Sequence, residues 1–368
     1  MRRARPFLAA GVMLCSAALT CENDQAPAVA SGRLLWKYAS EVGCRLRPPM
    51  SDGVRAFVPF ADGYLRAFDL RTGALAWSTQ IGGTLHDDMG VFGDRLVVQA
   101  DFSLPALDPA TGQVLWWGAG FALDAPRGIL AYDTSRGLVF TGTWGGRVVA
   151  LRLADGSVAW QRSMGDYVQV TMVAGNRLFI GMTSDSVQPA YTVGHIVAMD
   201  LDSLRQVWTF LAPVVGQAAS GFVTRFAYAS GAVIANASSG ILYSVASATG
   251  EELWRFESRS SLGGPIADGD RVFMPSSDGY LRTVSSRTGT QEWETFYGGG
   301  SLYTEPALMG DSLVVVKVGP KVYGVSRTNG ATRWQYTIRY ANICSAPLVV
   351  GKTVVVDAED GIYAIEAP

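Results

Sequence analysis

A chain of 368 residues, 48% hydrophobic and 17% charged, carries enough apolar material for a large core and is not a disordered chain. Its formal net charge of −2 removes the positive footprint that nucleic-acid binding requires. Abundant glycine (42) with 10 Trp, 14 Tyr and 15 Phe points to many short strands joined by tight turns, an all-β chain.

Residues 1–20 read as an export signal, with Arg2, Arg3 and Arg5 ahead of an apolar stretch from Phe7 to Leu19 too short to span a bilayer. Ala18-Leu19-Thr20-Cys21 resembles a bacterial lipobox, in which Cys21 is acylated and becomes the first mature residue. Ala18 and Thr20 stand where that pattern prefers Leu and a small residue, so plain secretion with cleavage nearby is the alternative. The polar run 22–27 suits a tether, taken here as residues 21–30. The expected location is the periplasm or cell envelope, with the membrane reached only through an N-terminal lipid at the outer membrane. If Cys15 leaves with the signal and Cys21 is acylated, Cys44 and Cys344 remain as an even pair in an oxidising compartment.

From residue 31 onward a repeat runs to the end of the chain. Trp36, Trp77, Trp116, Trp160, Trp208, Trp254, Trp293 and Trp334 recur at intervals of 39 to 48 residues. A turn glycine stands four residues before each one, except at Trp208, where that place holds Leu204. The interval is the length of a four-stranded propeller blade, so residues 31–368 are expected to form an eight-bladed β-propeller. Within a period, apolar alternation is broken by glycine turns such as Asp62-Gly63, Asp278-Gly279 and Asp360-Gly361. The glycine lets the chain reverse between the third and fourth strands, and the tryptophan offers a large surface to bury between blades.

The chain stops one strand short of a blade, after Ile362 to Pro368. Residues 33–38 are therefore expected to supply the outer strand of the last blade and close the ring. Closure places Cys44 near Cys344, both on predicted innermost strands. Their offsets from the turn glycines Gly53 and Gly351 differ by two residues, roughly 7 Å along a strand, about the Cα separation a disulfide tolerates. A ring-sealing disulfide and two buried thiols are the two readings.

The segment Gly63-Tyr64-Leu65-Arg66-Ala67-Phe68-Asp69-Leu70-Arg71-Thr72-Gly73-Ala74-Leu75-Ala76-Trp77 resembles the pyrroloquinoline quinone (PQQ) repeat, and the likeness extends from Ser31 to Pro368. That resemblance implies the eight-bladed fold of quinoprotein alcohol dehydrogenases and their non-enzymatic relatives. The overall design, an export signal, a short tether and one propeller, is similar to the BamB family of outer-membrane assembly lipoproteins. It implies a scaffold for envelope or outer-membrane proteins, without a cofactor. The alternative is a PQQ- or small-ligand-binding propeller, dehydrogenase or sensor, using PQQ with calcium. The dehydrogenases of this superfamily are longer and cover the quinone with adjacent cysteines; this chain has no adjacent cysteine pair and no Cys-x-x-Cys-His.

Polar residues cluster where inner strands are predicted to begin, facing the channel. Arg47, His86, Asp88, Arg127, Asp166, Gln169, Arg225, Tyr303 and Glu305 make a candidate axial funnel of mixed charge. Adjacent strand residues point to opposite faces, so His86 and Asp87 do not readily share a metal ion, and the expected state of this group is a solvated rim. The other histidine, His195, follows a longer connection, 183–194, expected to project from one face as a contact surface.

Overall fold

A computed structural model describes residues 29–40, 48–82, 85–119, 121, 124–188, 191–213, 225–298, 304–339 and 342–368. Every regular element among them is a strand. The proposed signal and most of the tether, with Cys21, Arg47, Cys44 and Tyr303, lie outside the described residues.

The chain opens with β1 (Ala30–Ser31) and β2 (Arg33–Ala39), which join sheets formed near its end. β3 (Met50–Ser51), β4 (Arg55–Pro59), β5 (Tyr64–Asp69) and β6 (Leu75–Gln80) form the first antiparallel sheet. The second contains β7 (Leu85–Phe92), β8 (Arg95–Ala100), β9 (Pro105–Leu107) and β10 (Val114–Trp117). β11 (Pro126–Asp133), β12 (Leu138–Thr143), β13 (Arg147–Arg152) and β14 (Val158–Ser163) make a third unit. β15 (Tyr167–Ala174), β16 (Arg177–Gln188), β17 (Tyr191–Asp200) and β18 (Gln206–Leu211) make a fourth. A parallel bridge, Ile129 to Val170, fuses these two units into one eight-stranded sheet.

The fifth sheet holds β19 (Ala227–Ala229), β20 (Ala232–Asn236), β21 (Ile241–Ala246) and β22 (Glu252–Glu257). The sixth holds β23 (Ile266–Asp268), β24 (Arg271–Pro275), β25 (Tyr280–Ser285) and β26 (Gln291–Phe296). β27 (Ala307–Met309), β28 (Leu313–Val318), β29 (Lys321–Ser326) and β30 (Thr332–Thr337) form the seventh, with β1 added in parallel at its outer edge. β31 (Leu348–Val350), β32 (Thr353–Ala358) and β33 (Gly361–Glu366) form the last, completed by β2 pairing antiparallel with β33.

Sequence accounts for the different strand roles. Several innermost strands start at or just after a proline (Pro49, Pro126, Pro265, Pro306, Pro347), which has no N–H for a ladder and suits a strand's first position. The second and third strands carry apolar runs such as Leu96-Val97-Val98, all but fully buried. Both faces of those strands pack on neighbouring sheets, so continuous burial replaces the alternation read from sequence. Outer strands bury little besides the tryptophan, which is itself half-buried at Trp160 and Trp293, with Phe210 of β18 a second buried ring.

Those tryptophans do more than fill space. The indole N–H groups of Trp36, Trp77, Trp116, Trp208, Trp254 and Trp293 donate to carbonyls of Leu70, Pro109, Leu153, Ser247, Ser286 and Arg327 in the following sheet, at 2.8–3.1 Å. Each ring lies on the turn glycine of that following sheet. A Cβ on Gly73, Gly112, Gly156, Gly250, Gly289 or Gly330 would come within 2.4–2.6 Å of the preceding tryptophan. The glycine is thus required twice, for its positive φ and as a seat.

Two seams depart from this rule. Leu204 holds the left-handed conformation itself at φ 53°, and Trp160 beside it stays half-buried. There the units are joined by the Ile129–Val170 bridge, and Arg162 donates to the Leu204 carbonyl at 2.9 Å. Trp334 packs over Gly324, and its indole N–H is buried with no hydrogen-bond partner among the described residues.

The first and last sheets meet. β31 lies beside β3, and Trp36 and Ile362 share a core cluster with Val58 and Phe68. Gly361 lets β2 approach, since a Cβ there would lie 2.2 Å from the Tyr38 carbonyl. Lys37 then reaches Asp360 at 2.5 Å.

Cys344 is disulfide-bonded, with its partner outside the described residues. It does not sit on the innermost strand as expected. It precedes β31, next to the isolated Ile343–Ala358 bridge, because Pro347 delays the ladder until Leu348.

Gly112→Ala is expected to cost about 2–4 kcal/mol, combining a strained φ with a clash against Trp77. Gly165→Ala, at φ 84° with open space around it, should cost only about 1 kcal/mol. Urea unfolding of the two variants measures the difference.

Candidate functional site

Three residues of the predicted funnel converge. Arg225 stands two residues before β19 and Glu305 two before β27, while Asp88 lies on β7. Arg225 Nη2 donates to Asp88 Oδ1 at 2.9 Å and Nε to Glu305 Oε2 at 3.3 Å. The Asp88 side chain is 7% exposed, against 29% for Glu305 and 38% for Arg225. The expected solvated rim is therefore wrong at Asp88, where a charge-paired carboxylate is buried between sheets.

Other groups hold the acids in place. Asp88 Oδ2 accepts the Leu130 N–H at 2.9 Å, and the Asp88 N–H donates to Gln99, which in turn donates to Thr141 at 2.8 Å. Burial pushes both the Asp88 and Glu305 carboxyls above their ordinary values, against the opposing pull of the Arg225 charge.

The remaining candidates go elsewhere. Arg127 stacks its guanidinium 3.7 Å from the centre of the Trp144 ring, and Tyr167 meets Trp144 edge-on at 6.1 Å. Trp144 and Tyr167 are 49% and 40% exposed, yet the turn that carries Trp144 is fixed. Asp124 accepts from Thr143 at 2.6 Å, from Arg147 at 2.7 Å and from the Gly145 N–H. Asp166 and Gln169 belong to the seam between the third and fourth units, where Gly146 and Gly128 pass close to their carbonyls. The His86 side chain lies outside what the structure describes.

The described part of the connection 183–194 is strand and not loop, residues 189–190 lying outside the described residues. β16 and β17 continue as one long hairpin, pairing from Arg177–Asp200 out to Gln188–Tyr191. Tyr191-Thr192-Val193 supplies aromatic and β-branched residues to one arm of this ladder. Because β11 and β15 run parallel, the paired ends of this hairpin at Gln188 and Tyr191 and the β12–β13 turn bearing Trp144 lie at the same end of the fused sheet. Trp144 and Tyr167 were missed in sequence because Trp144 breaks the repeat spacing; a tryptophan outside the period beside Gly145-Gly146 is the signal that could have found it.

Hairpin turns recur with a charged lock. In the sixth sheet Asp278 accepts from Arg282 at 2.7 Å and from Ser276, while Arg282 also reaches Glu294 at 3.0 Å and lies over Tyr280. In the first sheet Arg66 reaches Asp62 at 2.6 Å. Burial alone would raise the Asp278 carboxyl, but Arg282 and Ser276 hold it far below the ordinary carboxylate range. A depressed folded-state value contributes stability above the unfolded value near 4, lost as pH falls below it. Asp278→Asn should cost about 1–3 kcal/mol at neutral pH, and the gap to the wild type should narrow steadily below pH 4 in pH-dependent melting.

Four-stranded antiparallel sheets locked in series by tryptophan on glycine define a β-propeller of PQQ-type repeats. The chain belongs to the family described as outer membrane protein assembly factor BamB, whose model matches residues 25–180 and 192–367. It is 27% identical over 304 residues to outer membrane protein assembly factor BamB of Bordetella pertussis, covering 77% of this chain and 73% of that one. The crystal structure of BamB from Moraxella catarrhalis is similar in fold, with a TM-score of 0.58 and 18% identity over 87% of this chain and 83% of that one. A quinohemoprotein alcohol dehydrogenase from Pseudomonas putida HK5 is also similar in fold, with a TM-score of 0.71 and 13% identity over 91% of this chain and 76% of that one.

Among the described residues, the carboxylates that converge do not fit a calcium-bound quinone. Asp88 and Glu305 are committed to Arg225 and, for Asp88, to a backbone N–H. Among the described residues no three His, Cys, Asp or Glu side chains converge on one point.

Proposed function

We propose that this chain is a non-enzymatic scaffold of the bacterial envelope that docks other proteins during outer-membrane protein assembly. The observation that carries this reading is the family match over nearly all of the chain from residue 25 onward. In this reading residues 1–20 are an export signal, Cys21 carries the lipid that holds the protein at the outer membrane, and 21–30 is the tether.

Residues 31–368 then form a ring of eight blades. The pairing of β2 with β33, the contact of β31 with β3 and the seat of Trp36 on Gly73 all support it. Cys44 is the proposed partner of Cys344, sealing the seam covalently. Non-reducing peptide mapping should recover a 44–344 linked pair; a linkage of Cys344 to any other cysteine overturns the seal.

The docking face is the end of the fused sheet that carries Trp144, Tyr167 and the long hairpin. Rigid, exposed aromatics beside arginine are the side chains that dominate protein interfaces. The matched family segments stop at 180 and resume at 192, and residues 181–191 of the long hairpin fall between them. Affinity purification of the tagged protein from membranes should recover outer-membrane barrel assembly proteins. Replacing 185–192 with an Asn-Gly turn should lower recovery at least about tenfold, the loss of about 1.4 kcal/mol of binding. Failure to recover any assembly protein with the intact chain removes the functional reading; unchanged recovery after trimming removes only the hairpin.

A further inference from the structure

Arg225 joins three sheets, the second, fifth and seventh, none of which adjoins another in chain order. Its guanidinium uses two separate edges, Nε toward Glu305 and Nη2 toward Asp88, so one planar group bridges carboxylates from opposite parts of the molecule. Neither acid is placed by the Arg225 side chain alone, since Glu305 also accepts from the Arg225 backbone N–H, which truncation of the side chain leaves in place. Asp88 is fixed by the Leu130 N–H and by Gln99. Glu305 is confined by the sixth sheet's approach, where a Cβ on Gly264 would lie 2.3 Å from Glu305 Cγ.

We propose that Asp88 and Glu305 form a guanidinium-binding site in the middle of the molecule, filled in cis by Arg225 as a latch between distant sheets. Two acids aimed at one point repel each other and are partly dehydrated, so the site requires a cation. A planar fork with donors on two edges satisfies both at once, whereas an ammonium offers a single point. The Arg225 side chain is 38% exposed, so a small solute can reach the site once the side chain is removed. The same exposure screens the latch and keeps its effect moderate.

The test is chemical rescue in the full chain. Arg225→Ala should lower the melting temperature by about 2–6 °C. Millimolar methylguanidinium should restore part of that loss, while methylammonium restores less. Neither solute should raise the melting temperature of the wild type or of the Arg225→Ala/Asp88→Asn/Glu305→Gln triple variant. Should Arg225→Ala fail to fold, recovery of folding by methylguanidinium or by the two added amide substitutions supports the site equally. The proposal is overturned if Arg225→Ala melts like the wild type, if methylguanidinium acts alike on all variants, or if neither remedy recovers a misfolded Arg225→Ala.

Discussion

The seam between successive sheets rests on a tryptophan laid against a glycine. An indole is large enough to cover the end of the next sheet, and its single N–H must find an acceptor once buried. The carbonyl at the following turn provides that acceptor, and the glycine beside it removes the one atom that would hold the ring away. Hydrophobic burial, a satisfied hydrogen bond and a left-handed turn are therefore coupled at one point. The core follows from this arrangement: it is distributed between sheets rather than gathered at one centre, with each apolar cluster drawn from two neighbours.

Where the seam is broken, the fold compensates locally. Leu204 brings a side chain to the glycine's place, and the third and fourth units instead share a ladder through Ile129 and Val170. The close backbone passage at Gly128 and Gly142 permits that sharing. The same fused sheet bears the longest hairpin and the exposed Trp144 and Tyr167, so the irregular part of the scaffold coincides with the face proposed for docking. A stiff platform with exposed aromatic rings loses little entropy on binding, which suits a scaffold.

Electrostatics divides between rim and middle. In the first and sixth sheets the hairpin-turn aspartates, Asp62 and Asp278, are neutralised by an arginine four residues on, a local device. Asp88, Arg225 and Glu305 act over long sequence distances and draw distant sheets toward one guanidinium. The first kind rigidifies a turn; the second ties together segments far apart in the chain.

Sequence by itself determined the all-β class, the repeat, the turn glycines and the completion of the last sheet by residues 33–38. These depend on local periodicity and on residue types with narrow conformational roles. It also named Asp88, Arg225 and Glu305 as polar residues at inner strand starts. Only the tertiary structure decided that they meet, that Arg127 turns away to stack on Trp144, and that the described part of 183–194 is a ladder instead of a loop. Partners 80 and 137 residues apart leave no spacing to read, and which of several nearby charges pairs with which depends on how sheets are aimed in space.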